Sequence, residues 1–181
     1  MTFTHVSSML DRVNLRILKE LQLDPRLPIA RLARNVRMSA PAVAERIHRL
    51  KEAGIIIGYR VDVDPKALGL PVAAFVRVRP APGQLGKVAE LAQRTPEVVE
   101  CHRITGEDCF LLKVYVAEVN QIETVLDRFL VYGQTTTSIV QSSPVLPRAL
   151  PLPGMSPSLG AVHTGGVQSA RALQGPIKAT R

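Results

Sequence analysis

Tryptophan is missing from this 181-residue sequence, aromatic residues make up only 4% of it, and cysteine occurs twice, at Cys101 and Cys109. Two cysteines supply no disulfide framework. The four histidines, His5, His48, His102 and His163, are scattered without a CxxC or HxxxH pair, so no dedicated metal site and no cofactor are expected. The opening MTFTHVSSML lacks a basic start followed by an apolar core, and the longest apolar run, around Leu70 to Val76, is far too short to cross a bilayer. No membrane partner is expected, and the chain reads as cytoplasmic.

What is present is positive charge, placed unevenly. The formal net charge is +8, with Lys and Arg outnumbering Asp and Glu by 11 to 5 over Met1–Arg60, near balance at 9 to 10 over Val61–Leu150, and 3 to 0 from Pro151 onward. An anion-binding module joined to a nearly neutral part with another task fits that division. Hydrophobic content of 46% is enough for one or two domains with real cores.

Asp11 to Leu23 carries Ile17, Leu18 and Leu21 at helical spacing before Asp24-Pro25 breaks it. Pro28 to Val36 is a short second helix with Ile29, Leu32, Ala33 and Val36 facing inward. The stretch MSAPAVAERIHRLKEAGIIIGY begins a third, with Ser39 as cap, Pro41 tolerated in the first turn and Gly54 as the stop. Three helices in about forty-five residues, the last two joined by a short turn, form the helix-turn-helix pattern. Within the third, Val43, Ile47 and Leu50 recur on one face, while Ala42, Arg46 and Arg49 line another. The candidate DNA-contacting residues are Ser39, Ala40, Ala42, Val43, Arg46 and Arg49, with Arg46 expected to point outward and reach a base edge or a phosphate.

Ile55 to Val63 is rich in β-branched residues and reads as a linking strand, and Asp64 to Gly69 as a connector. Beyond it the order is strand, helix, strand, strand, helix, strand. Val72 to Arg79 alternates between two faces, Leu85 to Ala92 has a helical stripe, and Val98 to Ile104 and Cys109 to Val116 flank the turn-forming Thr105-Gly106-Glu107-Asp108. Ile122 to Leu130 gives the second helix and Thr135 to Gln141 the last strand. This is the βαββαβ order of a ferredoxin-like sandwich with one sheet face uncovered. Phe75, Cys101 and Tyr115 are expected on that open face, too apolar to leave wet, which calls for a second copy of the chain. The last segment, from Val145, is rich in Pro, Gly and Ser and is expected to be disordered.

The motifs LDRVNLRILKELQLDPRLPIARLA, MSAPAVAERIHRLKEAGIIIGYRVDVDPKALG and ITGEDCFLLKVYV, in this order and spacing, resemble the Lrp/AsnC family of feast/famine transcription regulators from Leu10 to about Pro144. The resemblance implies an α+β fold: a winged-type helix-turn-helix domain over residues 1–54, a linking strand and connector over 55–69, and a ferredoxin-like effector-binding and dimerisation domain over 70–144. It implies double-stranded DNA and a small effector, an amino acid, as partners, and a homodimer or octamer. The effector residues it points to are Thr105, Gly106, Glu107 and Asp108 of the hairpin, with Thr135 and Thr137 as a polar lip. The sequence departs from the family at Cys109, where an aspartate is usual, and at Asn14, commonly acidic. Other readings with the same pattern are a siroheme-decarboxylase-like enzyme, a DNA-bending chromatin protein without effector, and an amino-acid sensor acting on a protein.

Overall fold

Asp11, a carboxylate directly before an apolar-periodic run, caps the first helix of the computed structural model, which describes residues 9–155. Its Oδ1 accepts the Asn14 amide at 2.7 Å, satisfying one of the free N–H groups of α1 (Arg12–Leu23). Pro28 precedes α2 (Ile29–Val36), which ends on Arg37 in the left-handed conformation, φ 58°. Ser39 then caps α3 (Ala40–Glu52) through the Ala42 amide. Ile17, Leu32, Val43, Ile47 and Leu50 meet in one apolar cluster between the three helices. Helices this short are marginal alone, so this shared cluster is what stabilises them.

The expected strand Ile55–Val63 does not form. Ile55 and Ile56 pack on the helical cluster, while Ile57, Tyr59, Val61 and Val63 are exposed and join no ladder. β-branched composition favours extended backbone but supplies no neighbour for its N–H and C=O groups. A 3-10 turn over Pro65–Leu68, capped by Asp64, ends the connector.

The second unit, Arg60–Leu146, runs β1 (Val72–Pro80), α4 (Leu85–Arg94), β2 (Val98–Arg103), β3 (Phe110–Val116), α5 (Asn120–Leu130) and β4 (Gly133–Ile139). All pairings are antiparallel and the sheet order is β2-β3-β1-β4. Alternation along β1 and β3 sends Ala74, Val76, Val78, Leu112 and Val114 into a core with Val88, Ala92, Ile122, Val125 and Phe129 from the two helices. Phe75, Arg77 and Arg79 take the opposite, open face. At Gly133 a Cβ would stand 2.1 Å from the Arg79 carbonyl oxygen, so only glycine lets β4 approach β1 there.

The segment after β4 departs from the expected disorder in its first part. Leu152, half-buried, packs on the three-helix cluster, and the Gln22 side-chain amide donates to the Leu150 carbonyl at 3.1 Å, so an apolar side chain and a backbone acceptor past the proline-rich stretch both find partners. Residues 156–181 of that tail lie outside the described residues. Among the described residues no helix is long and apolar enough to cross a membrane.

Candidate nucleic-acid interface and effector hairpin

In α3 the cap residue Ser39 is exposed, and Ala40 and Ala42 are half-buried beside it. Val43 is not available to DNA: it is fully buried with Ile47 and Leu50, the i, i+4, i+7 stripe that makes the helix pack. Arg46 does not point outward either. Its Nη1 donates to Asp11 Oδ2 at 2.6 Å and to Asn14 Oδ1 at 3.0 Å, so its guanidinium fastens α3 to the start of α1. Asn14 is itself buried and donates back to the Met9 carbonyl at 2.7 Å. Partial burial pushes the Asp11 carboxyl up, but the Asn14 amide and the Arg46 charge overcome it and hold the group below its usual range.

Arg49 stays exposed, paired with Glu45 one turn back at 2.8 Å. Such an exposed pair contributes little and releases its guanidinium readily to a phosphate. Sequence reasoning missed three other cations. Arg31, Arg34 and Arg37 recur every three residues along α2 and the turn into α3, all exposed, and none is in an ion pair among the described residues. Their spacing was the available signal.

On the second unit, Thr105–Asp108 closes the β2–β3 hairpin, with Gly106 at φ 110°, a conformation open mainly to glycine. The two acids reach sideways to the open sheet face. Glu107 pairs with Arg79, and Asp108 lies 3.7 Å from Arg77 and 3.6 Å from Arg79. Nothing in the sequence marks these two arginines, which alternate with Phe75 on β1; only the register of the hairpin against β1 brings them to it.

Thr135 and Thr137 do not join this group. They stand opposite Val78 and Val76 and so share the helix-covered face, whereas Thr136 and Ser138 stand opposite Arg77 and Phe75 on the open one. A one-residue change of register exchanges the two faces of a strand, and nothing in a Thr-Thr-Thr-Ser run marks which is which. Cys101 likewise sits opposite Leu112 on the helix side, because a register shift between Val98 and Glu100 inverts the rest of β2. Tyr115 and Phe75 keep their expected place on the open face. Cys109 Sγ lies 3.9 Å from the Glu107 carbonyl within the turn. Among the described residues no group of three His, Cys, Asp or Glu gathers as metal ligands would.

Residues 10–51 match the AsnC-type helix-turn-helix domain and residues 73–150 the Lrp/AsnC ligand binding domain. The HTH-type transcriptional regulator LrpC of Bacillus subtilis is 34% identical over 133 residues, covering 74% of this chain and 92% of that protein. Its solved structure superposes with a TM-score of 0.71 over 74% of this chain and 96% of that one. A transcriptional regulator of Neisseria meningitidis, solved as its complex with L-methionine, is 27% identical with a TM-score of 0.73, covering 80% of this chain and 97% of that one. The leucine-responsive regulatory protein of Haemophilus influenzae is 32% identical over 120 residues, covering 65% of this chain and 72% of that protein. With a basic helix-turn-helix followed by a ferredoxin-like sheet in the order these proteins share, the chain belongs to the Lrp/AsnC family of DNA-binding transcriptional regulators.

Proposed function

We propose that this regulator grips double-stranded DNA through the exposed side of α2, the turn and α3, and that a free amino acid bound at the β2–β3 hairpin sets its assembly and through it the DNA response. Arg31, Arg34, Arg37, Ser39 and Arg49 are the residues positioned to touch DNA, mostly at phosphates, while Arg46 holds the recognition helix in place. The observation that carries the effector reading is the paired cluster of Glu107 and Asp108 with Arg77 and Arg79 on the open sheet face. A zwitterion can exchange into such a network without leaving a charge unpaired: its ammonium meets the carboxylates and its carboxylate meets a guanidinium. The names of the leucine-responsive relative and of the L-methionine complex support that ligand class. A second copy of the chain, covering the Phe75 face and the exposed Ile57–Val63 segment, is the partner that would screen the site from water. The reading is non-enzymatic and places the protein with the DNA in the cytoplasm.

The test is a mobility-shift titration on the DNA upstream of its own gene, repeated with each amino acid, for the parent and Asp108→Ala. One or a few amino acids should change the retarded pattern of the parent and not of the variant. Equal responses from both proteins remove the hairpin from the effector site, and no response from the parent to any amino acid refutes the ligand class.

A further inference from the structure

The match to the ligand binding domain ends at residue 150, and residues 150–155 carry the chain from that end into an extension past it. That extension is attached at three points to the helix-turn-helix unit. Leu152 packs on the helical cluster, the Leu150 carbonyl accepts from Gln22 at 3.1 Å, and Met155 closes one side of a groove whose other walls are Arg12, Arg16, Lys19 and Glu20 of α1. The Met155 amide donates to the Leu152 carbonyl at 3.1 Å, closing a turn between the two apolar side chains, one packed on the helical cluster and the other at the α1 groove. The Leu150 side chain, 79% exposed, takes no part. The extension therefore binds by its backbone at one residue and its side chains at two others.

We propose that the outer face of α1 is a docking surface for the chain's own C-terminal segment, and that residues 150–155 act as a strap holding the DNA-binding unit by a second point. The first connection to the sheet unit, residues 57–71, pairs with no strand, and its apolar members Ile57, Val61 and Val63 are exposed. The second, residues 140–149, is shorter, and ten residues span at most about 33–36 Å when fully extended. A unit hung on both connections samples fewer orientations than a unit hung on the long one alone. In a DNA-bound dimer that restriction narrows the range of half-site separations the two units can span. This second consequence rests on the DNA-binding reading; the docking itself does not.

The experiment compares the full-length parent with Leu152→Asp, Leu152→Ala and, as a control, Leu150→Asp. Circular dichroism establishes that each variant keeps its helices. Tryptic cleavage after Arg148 should be at least about tenfold faster in Leu152→Asp, intermediate in Leu152→Ala, and as in the parent for Leu150→Asp. Affinity is then measured on duplexes whose half-sites are in phase or displaced by half a helical turn. The parent should lose at least about tenfold between them, and Leu152→Asp less than about threefold. Equal cleavage in the parent and both Leu152 variants overturns the docking. Faster cleavage with an unchanged spacing preference overturns the restraint on orientation. Absence of binding to any duplex by the parent counts against the DNA-binding face, and the cleavage arm still decides the strap.

Discussion

Replacing Arg46 by alanine cuts the recognition helix loose from the start of α1. Two contacts disappear, the 2.6 Å ion pair to Asp11 and the 3.0 Å donation to Asn14 Oδ1. Asp11 is 45% and Arg46 30% exposed, so water screens the ion pair and it contributes about 0.2–1 kcal/mol. Asn14 is the larger loss. Only 5% exposed, it keeps a buried oxygen without a donor, at about 1–3 kcal/mol. Together these give about 2 kcal/mol, and at about 4–8 °C per kcal/mol for a unit of this size the melting temperature should fall by about 10 °C. Because the guanidinium faces α1, specific and non-specific DNA should weaken alike and the salt slope should stay unchanged, since no phosphate contact is lost. Thermal unfolding tracked at the helical signal, with salt-dependent anisotropy on both kinds of duplex well below the melting temperature, reads every part of this. The Asp11 carboxyl is held below its usual range, so its pairing stabilises the fold fully above the ordinary carboxylate value and is lost as pH falls through the lowered one. The melting difference between parent and Arg46→Ala should therefore narrow below about pH 4. A parent-like melting temperature with weakening confined to the cognate site would refute the reasoning and make Arg46 a base-reading residue.

Three further outcomes are expected. Arg34→Gln combined with Arg37→Gln should leave stability nearly unchanged while lowering the salt slope of DNA binding by about two, one per phosphate contact, measured by anisotropy on any duplex. Arg128→Met should destabilise the sheet unit by about 1 kcal/mol, since Arg128 holds both oxygens of the partly buried Glu97 at 3.1 and 3.2 Å, and urea unfolding reads the change. Burial raises the Glu97 carboxyl, but its backbone hydrogen bond and Arg128 lower it overall, so this contribution is present above the usual glutamate range and disappears as pH falls through the lowered value. Gly133→Ala should cost about 1–3 kcal/mol by forcing β4 off the Arg79 carbonyl, seen as a lower urea midpoint with the slope retained.

Local chemistry was enough to read the helices α1–α5, the hairpin and the βαββαβ order, because caps such as Ser39, breakers such as Asp24-Pro25 and the two hydrophobic periods act over a few residues, whereas the 3-10 turn over Pro65–Leu68 was not marked. It also separated the basic module from the neutral one. Tertiary structure decided everything that depends on which face meets what. Arg46 and Arg49 look equivalent on a helical wheel, yet one meets Asp11, distant in sequence, and the other keeps to solvent. Thr135 and Thr137 turn to the helix side because β4 pairs with β1 in one register, and Arg77 and Arg79 meet Glu107 and Asp108 for the same reason. The strand expected over Ile55–Val63 has no partner among the described residues, and no propensity can provide one. Leu152, unremarkable in a proline-rich tail, is half-buried because the chain returns to the three-helix cluster, a long-range contact that no local pattern encodes.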